Sequence, residues 1–205
     1  MSLPTLYSYR RCPYAMRARM ALKYAGIAVE SVEISFKDKP AEMLQASPKG
    51  TVPVLVLKDN NLKEGTLCNR TVIEESLQIM LWALASRDPD NWLASDAKDL
   101  ISENDGAFKQ ALDRYKYSIR FPEKSAAAYR ADGEVFLLKL ENILNHQSFL
   151  SGDHIGLTDI AIFPFIRQFA SVDAALFQTS PYPKLRAWLK ARVESDLFLS
   201  VMQKI

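Results

Sequence analysis

Two cysteines, two histidines and seven glycines among 205 residues leave little room for several kinds of chemistry. With only Cys12 and Cys68 there is no disulfide framework, which fits a reducing compartment, most simply the cytoplasm. His146 and His154 have no cysteine or carboxylate cluster at metal-ligand spacing, so no metal site is expected. No glycine-rich phosphate loop is present. No apolar run reaches about 18 residues, which excludes a membrane-spanning helix. The opening MSLPTLYSYRR meets its arginines too early to hold the apolar core of a secretory signal. A net charge of +2, with no basic stripe interleaved with aromatics, gives no reason to expect nucleic acid as a partner.

What remains is the composition of a soluble globular protein, 48% apolar and 24% charged, long enough for one large domain or two small ones. Residues 1–85 alternate in type. Thr5–Tyr9 reads as a strand, and Pro13–Ala25 as a helix opened by proline and stopped at Gly26. VESVEIS (29–35) alternates as a strand, Pro40–Ala46 is a short helix, and VPVLVL (52–57) is a buried strand. A weak strand near Thr66–Asn69 precedes the helical EESLQIMLWALA. This order is the thioredoxin-like α/β layout, a mixed sheet with helices on its faces. Polar, proline-containing residues 86–98 read as a linker, and residues 99–205 carry only helical patterns. The expected organisation is therefore a thioredoxin-like domain over 1–85 and an all-helical domain over 99–205.

The segment YSYRRCPYAMRAR (7–19) carries the chemistry. Cys12 stands immediately before a helix-opening proline, among Arg10, Arg11, Arg17 and Arg19. A thiol there faces unpaired backbone N–H groups and the positive end of the helix dipole. Such settings bring a thiol from about 8.5 down to roughly 3.5–7.5. The competing reading is a small buried apolar residue, as most free cysteines are. Arg11 is read as tuning the thiolate or meeting ligand, and Arg17 and Arg19 as a solvated helix face. The residue one helical turn beyond Cys12 is Ala15, where a dithiol enzyme needs its second cysteine. A mixed disulfide formed on Cys12 thus requires an outside thiol for release, and glutathione is the abundant candidate. Cys68, in TLCNR, reads as a half-buried strand residue.

Three stretches together resemble the N-terminal half of the glutathione S-transferase superfamily, closest to its cysteine-bearing, omega-like branch: CPYA, KPAEMLQASPKGTVPVL and TVIEESLQIMLWAL. FLSGDHIGLTDIAIFPFI and YPKLRAWL are similar to the C-terminal half. The resemblance implies a glutathione S-transferase-like fold with glutathione as co-substrate. Pro53 would be the family's cis-proline. It would turn the backbone of Val52 toward the cysteinyl part of the ligand, like an added strand. Glu75 would accept from the γ-glutamyl ammonium, and Ser76 with its helix start would receive the carboxylate. Lys39 would meet the glycyl carboxylate. A second-substrate pocket between the domains would draw on Tyr14, Phe36, Tyr115 and Tyr117, although helical aromatics are commonly core. Tyr7 and Tyr9 compete with Cys12 for the activating role but read as strand residues.

One departure lies in GLTD, where Gly156 replaces the usual Ser or Thr cap before buried Asp159; glycine costs only a few tenths of a kcal/mol there. The activity implied is glutathione-dependent thiol transfer to a small hydrophobic or disulfide-containing substrate, by a homodimer as is usual in the family. Conjugation of glutathione to electrophiles, and a non-catalytic binding protein of the same fold, are the alternatives.

Overall fold

The structure, a computed structural model, describes residues 3–57, 71–94 and 97–204. The chain divides into two compact units, Met1–Pro89 with Asp196–Ile205, and Asp90–Ser195. The division falls within the stretch read as a linker. The Asp196–Ile205 segment, read as part of the helical module, groups instead with the first unit.

Among the described residues, the first unit holds a four-stranded sheet in the order β2-β1-β3-β4. Its strands are β1 (Thr5–Ser8), β2 (Glu30–Glu33), β3 (Val54–Val56) and β4 (Val72–Ile73). β1 runs parallel to β2 and antiparallel to β3, and β4 is antiparallel to β3. The weak strand expected near Thr66–Asn69 lies outside the described residues, as does Cys68. β3 is buried along its whole length, which is why its sequence is continuously apolar rather than alternating. In β1 the alternation separates the faces. Tyr7 joins Val54, Val56, Ile34, Val52 and Met43 in one cluster, against which Cys12 and Tyr9 also pack. Met43 belongs to α2 (Ala41–Ala46).

Helices α1 (Pro13–Tyr24) and α3 (Ser76–Ser86) pack on each other. Pro13 occupies the first turn of α1, where its missing N–H costs nothing. The helix ends at Gly26, whose φ of 72° carries the reversal. The Gly26 N–H donates to the Lys23 carbonyl and the Ile27 N–H to that of Leu22, the paired bonds of a Schellman stop. Arg17 and Arg19 do not form a solvated face. They are 2% and 8% exposed. The reason is visible in AMRARMAL, where every residue is buried, so the helix is enclosed nearly all round and its arginines must find partners inside. The short C-terminal helix α10 (Asp196–Val201) lies against α1.

The second unit contains α4 (Lys98–Glu103), α5 (Lys109–Lys116), α6 (Ala126–Leu144), α7 (Leu157–Ala170), α8 (Ala174–Gln178) and α9 (Pro183–Val193). A π-helical turn, Asn104–Phe108, joins α4 to α5. Fully buried Asp159 organises this unit. Its carboxylate accepts from the N–H groups of Leu150, Ser151 and Gly156 and from Trp188 Nε1 at 2.7 Å. Buried Glu141 of α6 likewise caps α9, accepting from Lys184 N–H at 3.1 Å and Leu185 N–H at 2.7 Å. Gly156 is required for space rather than for its φ of −148°. A Cβ there would stand 2.6 Å from Ser151 Oγ, so Ser151 fills the volume that a capping side chain would need. At Gly133 of α6 a Cβ would meet the Phe169 ring at 2.6 Å, which marks the close approach of α6 to α7.

Candidate active site

Cys12 is the N-cap of α1, half-buried, with extended backbone at φ −77° and ψ 123°. Its N–H donates to the Tyr9 carbonyl at 3.0 Å, and its own carbonyl accepts from Met16 N–H at 2.9 Å. The first bond closes the turn after β1 and the second starts the helix. The thiol is thereby held at the helix mouth, with Sγ 3.8 Å from the Val52 carbonyl oxygen. The Val52–Pro53 peptide is cis. Ala15, the position of an absent second thiol, is fully buried.

The remaining ligand residues expected from the sequence lie in the same unit, at the ends of its elements. Glu75 is the N-cap of α3 and Ser76 its first residue. Ser76 is 4% exposed and its hydroxyl accepts from Arg17 Nε at 3.0 Å. That bond joins the helix of the thiol to the helix start expected to receive a carboxylate. Lys39 precedes α2. Its Nζ lies 3.0 Å from the point a Cβ on Gly50 would occupy, so Gly50, at φ 60°, leaves room for the lysine beside the segment leading to Val52.

Two participants escape a reading of the sequence. Lys49 donates to Glu75 Oε1 at 2.7 Å and lies 3.8 Å from Glu74 Oε2. These carboxylates raise the Lys49 pKa, the hydrogen bond to Glu75 contributing most. An ammonium therefore already sits on the carboxylate expected to bind the ligand's ammonium. The only signal in the sequence is the lysine in PKGTVP, and its partner is 26 residues away. The Arg17–Ser76 bond is equally silent, although an arginine inside an otherwise apolar helical run is itself an indication of burial.

The aromatic positions separate. Phe36, 53% exposed, stands edge-on to Tyr9 with ring centroids 4.9 Å apart. Arg11 covers Tyr9 as well, donating to its hydroxyl at 2.8 Å; this bond raises the Arg11 pKa. Tyr7 is a buried strand residue, while Tyr9 lies just beyond the strand. Tyr14 packs beneath the Arg17 guanidinium, 5.2 Å from its ring centroid. In the second unit, Tyr115 is 7% exposed and lies 5.1 Å from Phe169, a core position whose burial raises the phenol pKa. Tyr117 is half-exposed, with Lys116 and Arg120 each 4.9 Å from its centroid. Among the described residues no group of three or more His, Cys, Asp or Glu is placed to hold a metal, and no helix is long and apolar enough to cross a membrane.

A mixed four-stranded sheet with a cysteine at its first helix mouth, a cis-proline opposite and a following all-helical unit defines the glutathione S-transferase fold. Family models for the glutathione S-transferase N-terminal and C-terminal domains match residues 6–92 and 125–191. The chain belongs to the glutathione S-transferase superfamily and is omega-like. It is 27% identical over 188 residues to glutathione S-transferase omega-1 of Mus musculus, covering 91% of this chain and 75% of that protein. Two solved structures share the fold at lower identity. Glutathione transferase Omega 2C from Trametes versicolor has a TM-score of 0.76 at 18% identity, covering 100% of this chain and 94% of that one. A glutathione transferase from Burkholderia graminis, with two glutathione molecules bound per subunit, has a TM-score of 0.80 at 19% identity, covering 98% and 88%.

Proposed function

We propose that this chain is a glutathione-dependent thiol transferase with Cys12 as its nucleophile. The observation that carries the reading is the placement of a lone thiol at the mouth of α1, with Ala15 one turn on and Sγ 3.8 Å from the Val52 carbonyl. In the first step the Cys12 thiolate attacks the glutathionyl sulfur of a mixed disulfide, RS–SG. A Cys12–SG bond forms, the S–S bond of the substrate breaks, and RS⁻ leaves and takes a proton from solvent. Glutathione thiolate then attacks the Cys12–SG bond, giving oxidised glutathione and regenerating the Cys12 thiolate. Each turnover consumes one free glutathione: RS–SG and GSH become RSH and GSSG, the incoming glutathione sulfur rising to the disulfide level as the RS sulfur is reduced to a thiol. Val52 supplies a backbone edge for the cysteinyl part of glutathione. Glu75 and the hydrogen-bonded Ser76 take the γ-glutamyl end, and Lys39 the glycyl carboxylate. The relatives named omega and the glutathione bound in a structural neighbour support this ligand class.

The test is Cys12→Ser. It should reduce glutathione–disulfide exchange at least 100-fold while leaving glutathione binding, measured by calorimetry, within about threefold. In the unmodified chain, oxidised glutathione should leave one adduct, mapped by mass spectrometry to Cys12. Unchanged exchange in the variant overturns the mechanism, and no binding at millimolar glutathione overturns the ligand.

A further inference from the structure

Arg19 is a buried cation whose contacts are unlike those of an ordinary structural arginine. Nη1 donates to Ser8 Oγ at 2.6 Å and to the Tyr9 carbonyl at 3.4 Å, and Nη2 donates to the Arg10 carbonyl at 2.9 Å. One guanidinium thus holds three consecutive residues of the turn that leads to Cys12. The Tyr9 carbonyl is shared, because it also accepts the Cys12 N–H at 3.0 Å. From the other side Arg19 Nε donates to the Val201 carbonyl at 3.2 Å, and Nη2 lies 3.8 Å from Met202 Sδ. Val201 ends α10, so this carbonyl is at the negative end of a helix. Every one of these acceptors is uncharged. A cation that is 8% exposed and bonded only to neutral groups needs a counter-charge nearby.

We propose that Arg19 is the positioning residue for Cys12: it fixes the Ser8–Arg10 turn from which the thiol projects, presents the buried positive charge that the thiolate balances, and is itself anchored by the end of α10. This rests on Cys12 being the reacting group. The charges around Arg19 agree. Burial lowers its pKa, and the charges of Glu33 and Cys12 oppose that effect. Glu33 of β2 accepts the Arg10 N–H at 2.8 Å, on the same turn. Cations also border this cluster: Arg10, and Lys23 and Lys204 on the groove that Arg19 lines. Among the charges named as acting on Arg19, Glu33 and Cys12 are the two that carry or can take negative charge. The C-terminal helix, remote in sequence, becomes part of the apparatus that sets the nucleophile.

The measurement is the pH profile of Cys12 alkylation by iodoacetamide, read on the Cys12 peptide by mass spectrometry in the full chain without glutathione. Arg19→Met should move the midpoint upward by about one pH unit, slowing alkylation roughly tenfold below both midpoints. Arg19→Lys keeps the charge but not the fork, and should give a smaller upward shift with partial recovery of rate. A chain ending at Ser200 removes the Val201 and Met202 contacts and should fall between Arg19→Lys and Arg19→Met. If Arg19→Met does not fold, the other two chains carry the test. A folded Arg19→Met with an unmoved midpoint overturns the proposal, as do unmoved midpoints in both other chains. Alkylation requires no glutathione, so failure of the thiol-transfer reading would show in exchange assays and leave this result standing.

Discussion

At the scale of single residues, the first question is what a ligand must displace. Lys49 holds Glu75 by a hydrogen bond of 2.7 Å, with side chains 52% and 62% exposed. On the proposed reading, Glu75 receives the α-ammonium of a γ-glutamyl group, so lysine and ligand present the same chemical group to the same carboxylate. Exposed ion pairs of this kind are weak, and the competition is correspondingly modest. Lys49→Met should tighten glutathione binding by about two- to fivefold, whereas Glu75→Gln should weaken it about tenfold or more. Calorimetry at two salt concentrations checks this. In the unmodified chain added salt weakens both the ion pair and its replacement, so the gain from Lys49→Met should shrink at high salt. Weaker binding in Lys49→Met would show instead that the lysine itself holds the ligand.

Among the elements, the start of α7 is where a local rule gives way to packing. By capping propensity alone, serine at position 156 should be as good as glycine or slightly better. The Asp159 carboxylate already accepts the Gly156 N–H at 3.2 Å, and Ser151 occupies the cap volume, with its Oγ 2.6 Å from where a Cβ would be placed. Gly156→Ser should therefore destabilise the chain, by about 1–3 kcal/mol as expected for overpacking. Ser151→Gly in the same chain should return much of that loss, because it vacates the volume. A double-mutant cycle by urea denaturation gives the coupling. Additive single effects would mean that the two side chains do not share the space. The helix of the thiol shows the complementary case. Its Schellman stop at Gly26 and the proline in its first turn obey local rules fully, and both are legible in the sequence alone.

For the whole molecule, what is legible follows from how far each determinant reaches along the chain. Strand and helix types in the first 57 residues, the position of Cys12 and the missing thiol at Ala15 are local, and the sequence shows them directly. Arg17 and Arg19 mislead because charge suggests exposure, while their burial is set by helices brought in from residues 76 onward and 196 onward. The hydrogen bond of Lys49 to Glu75 and the clash volume at Gly156 depend on contacts that no periodicity encodes. The largest such effect is the grouping of Asp196–Ile205 with the first unit, since a helical pattern reports that a segment is helical but not what it packs against. A chain ending at Ser195 tests this. It loses Phe198, 3% exposed in the full chain, together with the Arg19 bonds to Val201 and Met202. Deleting one buried phenylalanine side chain typically costs about 3–5 kcal/mol, so the loss should be at least about 3 kcal/mol. It should be confined to one unit. Amide hydrogen exchange should show protection falling in β1 and α1, while α6 and α7, which belong to Asp90–Ser195, retain theirs. Equal loss in both units, or none in β1 and α1, would mean that the C-terminal helix does not stabilise the unit with which it groups.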